Sequence, residues 1–151
     1  WSRNLLIKRP DLNASQLKST IKQMNRAFPD ANVTGFEDKI EKIQLPDLND
    51  RHVLAAAIQC KSAFLITFNL KDFPKSRLKK YSIEPRHPDA FILDLLDFHP
   101  EKVVAALHNQ VKCLRNPPKT EHQVLETLKR CGLSKSCEWL EMALEMATLS
   151  K

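Results

Sequence analysis

Five polar side chains bracket one apolar stretch in "LPDLNDRHVLAAAIQCKSAFLITFNLKDF", residues 45–73: Asp47, Asn49 and Asp50 at its start, Asn69 and Asp72 at its end. Carboxylates crowded together repel and raise each other's proton affinity, and a cation relieves the repulsion. Oxygen ligands suit a hard ion, so Mg²⁺ or Mn²⁺ is the natural candidate. A few protein oxygens plus waters leave positions open on such an ion for a substrate phosphate. It would activate water and offset charge on a scissile phosphodiester. Directly after the acids comes "KDFPKSRLKK", whose Lys71, Lys75, Arg77, Lys79 and Lys80 are the bases that would hold a nucleic-acid backbone. Each group also has a plain structural reading. Asp50 can cap a helix, Asn69 to Asp72 can form a turn, Asp47 and Asn49 can solvate a loop, and the lysines can be an exposed loop.

These residues converge only if the intervening elements fold back. Asp50 opens a helix pattern, "DRHVLAAAIQC", with Val53, Leu54, Ala57 and Ile58 expected on a buried face. "AFLITF" reads as a strand, Phe64 to Phe68, buried on both sides of a parallel sheet. Ligands of such sheets bind beyond the carboxyl ends of strands. Helix packed antiparallel to strand would bring Asp50 to the edge where Asn69 and Asp72 stand. "YSIEP" reads as a further edge strand, completing an α/β alternation.

Upstream, "DLNASQLKSTIKQMNRAFP" places Leu17, Ile21, Met24 and Phe28 at helical spacing, with Asn13 and Gln16 as cap partners and Pro29 as stop. "ANVTGF" predicts a short strand, and "EDKIEKIQLP" a helical turn or loop. Downstream, helices are predicted over Pro88 to Leu96, over Pro100 to Leu114, from a Thr120–Gln123 capping box to Gly132, and over Ser136 to Ala147, the last burying Trp139, Leu140, Ala143 and Leu144.

The 151 residues carry 42% hydrophobic and 28% charged residues, which suits one globular domain with an extension. No apolar run approaches the length of a membrane span. A formal charge of +6 favours an anionic partner. Cys60, Cys113, Cys131 and Cys137 lack metal-ligand spacing and are expected as reduced core thiols of a cytoplasmic protein. The chain opens on "WSRNLLIKRP", which reads as the middle or end of a helix. His52 points away from Asp50 and is expected to face solvent. The histidines and cysteines offer no zinc spacing such as CxxC or HxxxH, and no Gly-x-Ser-x-Gly turn supports nucleophilic catalysis. Trp139 is assigned to packing, and Tyr81, beside Lys79 and Lys80, is a candidate base-stacking residue, as is Trp1.

"DRHVLAAAI" and "LITFNLKDFP" together resemble the PIN-domain family, and "YSIEPRHPDAFILDLL" with the "RNPPKT" joint is similar to its VapC-type toxin branch bearing a C-terminal helical extension. The resemblance implies an α/β fold, a PIN-like parallel sheet flanked by helices over residues 1–97, followed by a helical extension over 98–151. It places Asp50 at the family's third acid and Asn69 at the fourth position, with Asp72 as the adjacent acid, so that Asp50, Asn69 and Asp72 are the catalytic candidates and Asp50 and Asp72 the metal ligands. Thr67 and Asp47 are supporting residues. A Mg²⁺- or Mn²⁺-dependent endoribonuclease is implied, with RNA as substrate, an antitoxin protein as partner and self-association left open. The family's first aspartate and its early-helix glutamate have no counterpart after Trp1. A fragment, one half of a split protein, or an inactive relative that binds RNA or an antitoxin without cutting would each explain this. The basic N-terminal helix also raises a DNA-binding alternative.

Overall fold

Apolar residues recurring every three to four positions make helices of most of this chain, and the computed structural model describes residues 5–7 and 9–149 accordingly. Residues 5–7 are helical; Trp1, and with it the stacking role considered for it, lies outside the described residues. Two compact units result, one of residues 1–43 and 49–61, the other of residues 44–48 and 62–151.

In the first unit, α1 (Ala14–Ala27) starts at Asn13, whose side-chain oxygen accepts from the Ser15 amide at 2.8 Å. This is the expected cap residue, with Ser15 rather than Gln16 as its partner. Leu17 and Ile21 are half-buried, but Met24 and Phe28 remain 52% and 69% exposed, so the apolar face of α1 is largely open. "ANVTGF" forms no strand. A strand persists only through ladder hydrogen bonds to a neighbour, and among the described residues this segment has none; Gly35 instead turns the chain at φ +72°. One helical turn, α2 (Glu37–Ile40), packs on α3 (Arg51–Gln59). Leu54 and Ala55 are the fully buried residues of α3, whereas Val53, expected inside, is 37% exposed. Three consecutive alanines carry too little apolar area to define which way the helix is turned.

The second unit holds a two-stranded parallel sheet, β1 (Phe64–Ile66) beside β2 (Glu84–Arg86), in register Phe64 to Glu84 and Ile66 to Arg86. The expected strand ends two residues early and is not buried on both faces. Leu65 is buried, while Phe64 and Ile66, on the opposite face by the two-residue period, are each 40% exposed. A sheet of two strands has little face to shelter. Between the strands run α4 (Lys75–Leu78) and a tight turn ending at Ser82 with φ +59°; Phe73, Leu78 and Ile83 anchor this connection in the core.

Four helices follow: α5 (Pro88–Phe98), α6 (Pro100–Cys113), α7 (Glu121–Arg130) and α8 (Ser134–Leu149). Prolines at the first helical positions of α5 and α6 fit, since the amide that proline lacks would have no partner there. Thr120 and Gln123 form the expected reciprocal capping box at 3.0 and 3.2 Å, and Gly132 ends α7 with φ +94°. Leu96, Leu107, Val124, Leu125, Cys137 and Leu140 form the core of this bundle, with Trp139 and Leu144 packed against it. Of the four cysteines only Cys137 is a core thiol; Cys60, Cys113 and Cys131 are exposed, and all four are free. Asp89, 8% exposed, accepts from the Ser136 hydroxyl at 2.6 Å and the Ser136 and Lys135 amides at 2.9 and 3.1 Å, clamping α5 to the start of α8. The protein is thus α/β, a small parallel sheet with a helical extension.

Candidate functional site

The carboxyl end of β1 organises one side of the site. The Thr67 amide continues the ladder to the Arg86 carbonyl at 3.0 Å, and its hydroxyl then accepts from the Asn69 amide at 3.0 Å. That bond turns the chain so that the Asn69 side-chain amide donates to an Asp72 carboxylate oxygen. Phe73, the next residue, is buried. Half-buried Asp47, from the short segment 44–48 of the same unit, brings a carboxylate oxygen within 4.8 Å of one from Asp72.

Two carboxylates at this separation repel unless a positive charge lies between them. Their donor set is entirely oxygen, with an amide steering one partner, and so fits a hard divalent cation that keeps several waters. Sequence marks Asp47 only as a supporting residue, because its closeness to Asp72 depends on a 25-residue excursion of the chain that no local pattern encodes.

Asp50 belongs to the first unit. It ends the tight turn Leu48–Asp50 and precedes α3, half-buried, at φ −87° and ψ −4°. The capping reading fails here, because its side chain makes no hydrogen bond to the helix amides; helical backbone angles at this position point the side chain away from them, whereas capping residues are extended. His52 is exposed as expected, with Nδ1 2.6 Å from the Asn49 carbonyl oxygen.

The basic run surrounds α4. Lys71, Lys75, Arg77, Lys79 and Lys80 are all exposed. Lys75 reaches Glu84 at 3.3 Å and, with Arg86 at 3.5 Å, holds the Glu84 carboxyl below the ordinary range. Arg77 donates to Gln44 at 3.5 Å, and the Lys80 ammonium lies 4.8 Å from the centre of the Tyr81 ring. Tyr81 is half-buried.

Residues 88–141 match the family described as the VapC50 C-terminal domain. The curated proteins include one from Mycobacterium tuberculosis, named "Putative ribonuclease VapC50", that is 44% identical over 94 residues, 62% of this chain. The chain spans about half the length of that relative, 55% of it. No solved structure gives a significant match.

Proposed function

We propose that this chain, which belongs to the VapC-type toxin family, takes part in divalent-metal-dependent cleavage of RNA. The observation that supports the reading best is the approach of the Asp47 and Asp72 carboxylates within 4.8 Å beside a strand end. The family resemblance, which sets Asp50 at the third acid, adds it as a ligand that with Asp72 would hold Mg²⁺ or Mn²⁺. Such an ion activates water and offsets charge on the phosphate when bound. The chain's own residues prepare the rest. Asn69 orients Asp72, Thr67 holds the Asn69 turn on the strand, and Lys71, Lys75, Arg77, Lys79 and Lys80 grip the phosphate backbone. Residues 1–97 act as the nuclease part and 98–151 as the extension, in the cytoplasm, with an antitoxin protein as the partner that restrains cleavage.

Cleavage of a labelled single-stranded RNA in Mn²⁺ by the full chain tests this. Asp50→Asn is expected to lower the rate by about a hundredfold or more, the scale of removing one charged transition-state partner, while circular dichroism stays unchanged. Undiminished cleavage by that variant removes the role assigned to Asp50. The basic surface around α4 favours one second reading, a module that binds RNA or an antitoxin without cutting. It predicts RNA binding with no Mn²⁺-dependent product from the unaltered chain.

A further inference from the structure

Away from the strand end, α7 and α8 bring a second set of ligating atoms together. His122 and Glu126 are four residues apart on α7 and share a face. Glu141 meets them from α8, and one ring nitrogen and two carboxylate oxygens of the three lie within 4.8 Å of one another. Two further observations bear on this trio. A cleft of about 240 Å³ opens beside His122 and Glu141, lined below by Leu125 and Leu144. Glu141 Oε1 is buried with no hydrogen-bond partner among the described residues, a condition that is unfavourable when nothing relieves it.

Lys129 meets only part of this need. Its ammonium is 2.7 Å from Glu141 Oε2 and 3.9 Å from Glu126 Oε1, and Arg130 is 4.0 Å from Glu126 Oε2. The second oxygen of Glu141 is left over, on a helix pair that a single ion could bridge.

We infer that His122, Glu126 and Glu141 bind a divalent transition-metal ion, zinc by preference, which pins α7 to α8. An imidazole with two carboxylates supplies the three protein ligands of a tetrahedral zinc, and water from the cleft supplies the fourth. The nitrogen donor separates this site from the all-oxygen acidic site, which suits Mg²⁺ and Mn²⁺. Lys129 competes for the same carboxylates and swings into solvent when the ion binds, a movement its flexible stem allows. Histidine and cysteine spacing does not reveal this set, because its second and third ligands are glutamates, one of them on the next helix.

Calorimetric titration of ZnCl₂ into the full chain carrying Asp50→Asn and Asp72→Asn tests the inference with the acidic site silenced. One binding event is expected, weakened about tenfold or more by His122→Ala and by Glu141→Gln, with MgCl₂ producing none. Zinc is also expected to raise the melting temperature of the chain with His122 intact and not that of His122→Ala. Absence of zinc binding, or binding that His122→Ala leaves unchanged, overturns the assignment.

Discussion

Asp72 and Asp89 are both aspartates of the second unit, and their surroundings give them opposite work. Asp72 has one amide donor and a second carboxylate nearby, an arrangement that attracts a cation. Burial alone pushes the Asp89 carboxyl up, but hydrogen bonds from the Ser136 hydroxyl and amide and from the Lys135 amide outweigh it, leaving the group below its ordinary value. A lowered folded-state pKa means that the carboxylate's contribution is complete above the unfolded value of about 3.9 and is lost as pH falls through the folded value. Asp89→Ala should therefore cost about 2–3 kcal/mol at neutral pH, the worth of hydrogen bonds to a charged group, and flatten the acid limb of the stability curve. Urea unfolding at neutral pH and at pH near 3 measures both effects. Equal stability of the two proteins at neutral pH would contradict the clamp.

At the scale of elements, the turn between α7 and α8 is constrained in both backbone and space. Gly132 adopts φ +94°, and a Cβ there would meet a Phe68 ring carbon at 3.3 Å, while Phe68 stands edge-on to His87 at 5.1 Å between ring centres. Gly132→Ala should destabilise by about 1–2 kcal/mol, from the left-handed backbone and the displaced ring, read as a lowered urea midpoint. The stop at Gly132, the Thr120 capping box and the helices after Pro88 were legible because caps, prolines and apolar spacing act locally. The strand pattern was less so. The same apolar run fits a sheet buried on both faces or an edge of two strands, and the number of neighbours decides, which is not written in "AFLITF" itself. The candidate site divides along the same line: Asn69 and Asp72 share one turn and were legible from it, whereas the approach of Asp47 is a tertiary event.

Across the whole molecule the net charge of +6 is unevenly spread, and the run from Lys71 to Lys80 holds five bases against Asp72 alone. Among the described residues no helix is long and apolar enough to cross a membrane. If these bases hold RNA, affinity should fall steeply with salt, log K against log salt having a slope near −0.7 for each phosphate neutralised on a single strand. Replacing Lys79 and Lys80 with Ala should lower the magnitude of that slope by about 1.4, measured by fluorescence anisotropy on an unstructured RNA. An unchanged slope would place the RNA contact elsewhere. The same run borders the acidic turn.

Calorimetric titration of MnCl₂ into the full chain probes the acidic site itself. Mn²⁺ should bind, and Asp72→Asn should weaken that binding about tenfold or more with the secondary structure of the variant unchanged; binding that survives Asp72→Asn undiminished, or no binding by the unaltered chain, would rule out a metal role for Asp72.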